Sequence, residues 1–290
     1  MHAITIIGCG DIGLRVAKRC QQQNLPVQGM VMTAESVRKL QEQAITPIQA
    51  NLDDTASLTG LSYSGSTVFY FAAPPPQGSL DSRMTNWLAS IGEKDKPDKV
   101  VLLSTTAVYG DTGGGWITEQ SDTTPTTDRG QRRLHAESQL LAWARSHSVE
   151  VVILRVPGIY GPGRLPRKRI EKGLPVLNES ECGYTNRIHS EDLAMICMTV
   201  AEKAPNGDIY NVSDGHPGTM TDWFNQVADF LQLQRPPQIS MQQAEQQMSA
   251  GMLSYLKESR RIDSTKLQNT LGVSLMYETI AKGIPASVEA

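Results

Sequence analysis

The feature that most limits what this chain can become is its opening: a short apolar run, Ile4 to Ile7, entering Gly8-Cys9-Gly10-Asp11-Ile12-Gly13. Ile12, Val16, Ala17 and Cys20 then recur at helical spacing. The pattern reads as strand, tight turn and helix, the setting in which G-x-G-x-x-G has a mechanism. Gly8 permits the turn, Gly10 lets a pyrophosphate approach the main chain, and Gly13 lets helix and strand pack closely. The first residues of the helix, Asp11 and Ile12, then offer N–H groups and a positive dipole end to phosphates. A glycine turn without a ligand is the plain alternative. Its place directly after a strand favours the dinucleotide.

Strands and helices alternate behind this turn. Leu25–Met32 reads as a second strand. An NAD site wants a carboxylate at its end to hold the ribose 2′-hydroxyl. Met32-Thr33-Ala34 stands there instead, with Ser36, Arg38 and Lys39 following. The cofactor expected is NADP ahead of NAD, with Thr33 among its contacts. Glu35 would reverse that preference if the loop is shorter. A third strand at 45–49 leads to Asn51 and Leu52, expected at the adenine edge; Asp53 or Asp54 also suits the cap of a helix reaching Leu61. A fourth strand, Thr67–Phe71, ends in Ala72-Ala73-Pro74, small residues that allow a cofactor close. Met84–Ile91 reads as a helix, Lys99–Leu103 as a fifth strand, the segment around Leu134 to Ala144 as a helix, and Val151–Leu154 as a sixth strand. Such alternation implies an α/β fold with a doubly wound parallel sheet, its ligand beyond the carboxyl ends of the strands. Gly113-Gly114-Gly115 reads either as a mobile lid or as an ordinary loop. Beyond Arg164 the rhythm fades until Ser190, then gives helices at 192–202 and 221–233 and a strand at 209–212.

Composition narrows the class. In 290 residues, 27 basic and 30 acidic side chains nearly balance, so nothing points to nucleic acid or a membrane surface. No apolar run is long enough to span a bilayer, and no basic segment precedes an apolar one at the start. Cys9, Cys20, Cys182 and Cys197 have no metal or redox spacing and read as small core residues. A soluble cytoplasmic protein without a metal is the expectation.

Taken together, the glycine turn, Ser104-Thr-Thr-Ala-Val-Tyr-Gly110, Ile159-Tyr-Gly-Pro-Gly163, Arg187-Ile-His-Ser-Glu-Asp192-Leu-Ala and Tyr210-Asn-Val resemble the extended short-chain dehydrogenase/reductases. The group most similar is the NAD-dependent epimerase/dehydratase-like proteins. The resemblance covers roughly residues 1 to 235. It implies a Rossmann domain over 1–156, to which 188–213 returns, and a smaller C-terminal α/β substrate lobe, mainly 157–290, packed over the ligand edge. It also implies a small-molecule substrate and, through paired helices, a homodimer. Thr105 falls on the family's active-site hydroxyl, and Ser104 beside it counts among the cofactor contacts. A hydroxyl that merely closes the strand end is the alternative for Thr105.

Two departures stand out. The family's Tyr-x-x-x-Lys pair maps onto Arg129 and Arg133, and Asp128–Arg133 holds no tyrosine. A guanidinium stays protonated at any working pH, so Arg129 cannot exchange a proton, whereas Arg133 can still reach the nicotinamide ribose. His135, His189, Tyr109 or a water remain as donors. The second departure concerns an asparagine that contacts the diphosphate in nucleotide-sugar members; its place here is Gly158. Pro157-Gly158 instead resembles a main-chain contact to nicotinamide. Tyr109, Arg164 and Arg187 are the candidate substrate contacts, the arginines for an anionic group. Tyr109 reads equally as packing, and Arg167-Lys168-Arg169 as a solvated face. Two functions stay open: an NAD(P)-dependent oxidoreductase or epimerase-like enzyme, and a catalytically silent NAD(P)-binding sensor.

Overall fold

The computed structural model describes residues 2–288. It divides into two compact units. The first runs to Val108 and takes back Asp128–Arg155 and Leu193–Tyr210; the second comprises Tyr109–Thr127, Val156–Asp192 and the chain from Asn211. Two boundaries differ from the sequence expectation. Residues 109–127 leave the first unit because Trp116–Ile117 pairs with Arg261–Ile262. The return at 188–213 shortens because Arg187–His189 pairs in parallel with Gly158–Tyr160.

In the first unit, β1 (Ala3–Ile7), β2 (Val27–Val31), β3 (Thr46–Gln49), β4 (Ser66–Tyr70), β5 (Lys99–Thr105), β6 (Glu150–Val156) and β7 (Ile209–Asn211) form one sheet. Its order is β7-β6-β5-β4-β1-β2-β3. The helices are α1 (Asp11–Gln22), α2 (Ala34–Glu42), α3 (Ser82–Ser90), α4 (Asp128–His147) and α5 (Ser190–Lys203). Strand β1 pairs in parallel with both β2 and β4, as do β2 with β3 and β4 with β5. All of β4 is buried, as a central parallel strand covered on both faces requires. Chain order reverses across β1 and β4, and the crevice at such a switch point is where open α/β sheets take ligands. The residues expected at the cofactor, Gly8 after β1 and Ala72 after β4, sit at that reversal.

Packing explains the elements. Helix α1 buries Ile12, Gly13, Val16, Ala17 and Cys20. Trp87 of α3 lies 5.0 Å from the Tyr70 ring and 5.8 Å from Tyr63, centroid to centroid. Ala136, Leu140 and Ala144 of α4 join that cluster. The helix expected to reach Leu61 is a single 3-10 turn, Thr55–Leu58, with Asp54 accepting the Ala56 N–H. Strand β5 runs past Leu103 to Thr105. The thiols of Cys9 and Cys20 are buried, which pushes both up to about 12. They are core atoms.

The second unit is made of short pairs: Val176–Leu177 with Gln238–Ile239, Tyr184–Thr185 with Gly218–Thr219, and the two already named. The helix Met220–Phe230, capped by Thr219, buries Trp223, Phe224, Val227 and Ala228 against Tyr160, Ile170, Val176, Ile280 and Ile284. Both carboxylate oxygens of Asp192 accept main-chain N–H groups, from Met276 at 2.8 Å and Tyr277 at 3.0 Å. The glycine run is fastened to the chain near residue 260. Gly114 N–H donates to Ser259, and Gly114 and Gly115 carbonyls accept from Arg261.

Candidate functional site

The three glycines each meet a different demand. Gly8 has φ +79°, and a Cβ there would lie 2.6 Å from the Ala72 nitrogen, so both conformation and space require glycine. A Cβ on Gly13 would come within 3.0 Å of Ile6 Cγ2 and 3.2 Å of Cys9 Sγ, which measures how tightly α1 lies on β1. At Gly10 nothing would lie within 4 Å. That space adjoins the N-terminus of α1, where Leu14 is the first residue to bond within the turn, to the Gly10 carbonyl at 2.8 Å. N–H groups ahead of it have no helical acceptor, and the positive end of the dipole points the same way. Asp11 turns its carboxylate to Arg15 at 2.9 Å and Ile12 is buried, so these two can serve a ligand through their main chain.

A cavity of about 200 Å³ opens beside the turn, lined by Gly8, Met30 to Met32, Ala50 to Leu52, Ala72, Ala73 and Arg83. Its apolar walls and its place at the ends of β1, β2 and β4 suit an adenosine. Asn51 Oδ1 accepts the Asp53 N–H, and the Leu52 carbonyl accepts from Asn86. Arg83 grips Asp53 through Nε and Nη2, at 2.8 and 2.6 Å, and donates through Nη1 to the Ala73 carbonyl. Sequence reasoning missed Arg83; nothing in its neighbourhood along the chain announces a pairing 30 residues away. Thr33 caps α2 by accepting from Ser36 N–H. Glu35 pairs with Lys39 at 2.7 Å on the exposed face of α2, and Lys39 holds that carboxyl below its usual range. The cavity lining contains no carboxylate.

At the end of β5, Thr105 Oγ1 accepts the Ala107 N–H at 3.3 Å, the strand-closing role weighed for it. Its own O–H has no acceptor among the described residues. Ser104, expected as a cofactor contact, turns its hydroxyl the other way. It is buried and donates to Glu137 at 2.5 Å. Glu137 also takes Arg155 at 2.8 and 3.3 Å, a pair fully enclosed in the sheet-to-α4 packing. Ser104 is a bracing residue through its side chain. Arg133 Nη1 donates to the Ala72 carbonyl at 3.1 Å, and burial pulls its pKa down. Neighbouring Arg132 donates to the Gly78 carbonyl. Helix α4 carries no tyrosine. His135 Nδ1 accepts the Asp81 N–H at 3.0 Å, so that nitrogen is occupied.

The second unit holds the other expected residues. Tyr109 is buried and its hydroxyl donates to Asn211 at 2.7 Å; the structure makes it a packing residue and corrects its place among the substrate contacts. Gly158 N–H donates to the Asn186 carbonyl at 3.2 Å, leaving Pro157-Gly158 no main-chain donor for a ligand, since proline has none. Arg164 is exposed. Arg187 is buried and lies 4.6 Å over the Trp223 ring. His189 is enclosed between the rings of Tyr160 and Tyr277, at 5.1 and 4.0 Å, so packing accounts for it. Of the basic run, Arg167 pairs with Glu171 and Arg169 donates to the Pro175 carbonyl.

The chain is 24% identical to Protein YeeZ of Escherichia coli (strain K12) across 96% of this chain and 97% of that one. It is 28% identical to dTDP-D-glucose 4,6-dehydratase of Homo sapiens, over 44% of this chain and 39% of the enzyme. Among solved structures, a functionally unknown conserved protein from Silicibacter pomeroyi DSS superposes with a TM-score of 0.80 at 25% identity, covering 99% and 98% of the two chains. A UDP-glucuronic acid 4-epimerase from Bacillus cereus in complex with NAD shares the fold, TM-score 0.76 at 17% identity over 98% and 97%. No helix among the described residues is long and apolar enough to cross a membrane. Residues 4–213 match the NAD dependent epimerase/dehydratase family, and the chain belongs to that family.

Proposed function

We propose that this protein binds NADP(H) in the crevice at β1 and β4 and interconverts a small carbonyl compound and its alcohol. The observation that carries the reading is the turn itself: Gly8 and Gly13 closed against protein, Gly10 facing open space at a helix N-terminus. Those residues fit a pyrophosphate, and the adjoining cavity fits the adenosine end. Preference for NADP is supported by the cap of α2. Thr33, the first N–H groups of α2 and Arg38 would meet a 2′-phosphate, and Glu35 is held by Lys39.

When bound, the dinucleotide supplies or accepts the hydride. Thr105 would hold the reacting oxygen through its unassigned O–H, and Arg133 would bring positive charge to the ribose side. The proton reaches that oxygen from water, since α4 offers no phenol. The same missing phenol favours one second reading, a sensor that holds NADP(H) without turnover. Calorimetric titration with NADPH and NADP, followed by nicotinamide absorbance against a panel of aldehydes, ketones and alcohols, separates them. Binding with turnover supports the enzyme, binding without turnover at high protein concentration supports the sensor, and no binding of either dinucleotide removes both.

A further inference from the structure

The second unit contains a buried cation with an incomplete set of partners. Arg187 is 8% exposed. Its Nη2 reaches only Met220 Sδ, at 3.4 Å, and its Nε is enclosed without a hydrogen-bond partner. No carboxylate among the described residues pairs with it. Asp214, the acidic group whose field it feels, uses Oδ1 on the His216 N–H and leaves Oδ2 buried and unbonded. Desolvation draws the guanidinium down to about 10. Proteins seldom keep an unpaired buried charge unless something binds it.

The approach to that charge lies at Gly158. A Cβ on this exposed residue would stand 2.6 Å from Arg187 Nη1, so the absence of a side chain leaves the guanidinium edge uncovered. Trp223 holds the other face of the planar group at 4.6 Å. A fixed guanidinium fork with one open edge matches a carboxylate.

We propose that Arg187, reached at the edge that Gly158 leaves bare, binds a small molecule bearing a carboxylate.

The test is calorimetry on the full chain saturated with NADPH, titrated with benzoylformate, its methyl ester, inorganic phosphate and UDP-glucose. Benzoylformate should bind at least about tenfold more tightly than any of the others, a gap of about 1.4 kcal/mol. Gly158→Ala, which crowds Nη1, and Arg187→Met should each weaken benzoylformate about tenfold or more. NADPH affinity in Arg187→Met should stay within about twofold. Equal binding of acid and ester, tighter binding of phosphate or UDP-glucose, or an unaltered Gly158→Ala each overturns the proposal. Should Arg187→Met fail to fold, Gly158→Ala decides. If NADPH itself does not bind, the functional reading falls, and the same acid-against-ester titration without cofactor still judges Arg187.

Discussion

Arg133 on α4 donates through Nη1 to the carbonyl of Ala72, 3.1 Å away, and Ala72 is the residue whose nitrogen closes over Gly8. One side chain thereby ties α4 to the residue that packs on the glycine turn. Arg133→Leu removes one hydrogen bond, worth about 1 kcal/mol of stability. NADPH affinity should fall by about tenfold, with Arg133→Lys recovering part of it. Calorimetry on the three proteins measures this; an unmoved affinity would leave Arg133 with packing alone.

The glycines of the turn should separate folding from binding. Gly8→Ala forces a left-handed φ on alanine and a Cβ onto Ala72, and should cost about 1–3 kcal/mol or more in a urea melt. A Cβ at Gly10 would meet nothing within 4 Å, and Gly10→Val should fold nearly as well as the parent. Its thermal stabilisation by NADPH should vanish, since bound ligand raises stability by mass action. Loss of stability in Gly10→Val equal to that of Gly8→Ala would show that the space above residue 10 is not kept for a ligand.

Ala34 opens α2, where a new carboxylate suits the helix dipole and leaves the fold intact. Ala34→Asp should therefore repel a 2′-phosphate, weakening NADPH about tenfold or more while NADH is unchanged or improved. The ratio of the two dissociation constants is the readout. A constant ratio would mean that the end of β2 does not discriminate between the dinucleotides.

Burial pushes Asp214 from 3.8 up to about 6. The folded protein thus holds a proton there that the unfolded chain has released, and the stability it contributes is complete at low pH and lost as pH rises through about 6. Asp214→Asn keeps an oxygen for the His216 N–H and removes the titration. Between pH values of about 4 and 7 the wild type should lose up to about 3 kcal/mol relative to this variant. Urea melts at both ends of that window check the sign. An equal offset at the two ends would return the carboxyl to its ordinary range.

How far the chain could be read from its residues depended on the range of the interactions. The glycine turn and the alternation of strands with helices in the first half of the chain follow from local patterns, and the structure repeats them. Contacts between distant residues did not show. Ser104 looked like a ligand residue until its hydroxyl was found on Glu137, 33 positions on. Tyr109 turns to Asn211, 102 residues later, and the loose-looking Gly113–Gly115 is stitched to Ser259 and Arg261. A hydroxyl or a glycine carries the same letter whether it faces a ligand or a neighbour, and burial, which the sequence reports only by period, decides between them.

The carboxylate of Asp192 has a consequence for the far end of the chain. The family match ends at residue 213, yet this motif residue clasps the backbone at Met276 and Tyr277. A premature stop ahead of position 276 would strip two donors from a side chain 1% exposed. The closing segment is therefore a keystone rather than a trailing end, and losing it would loosen the Arg187–Asp192 segment.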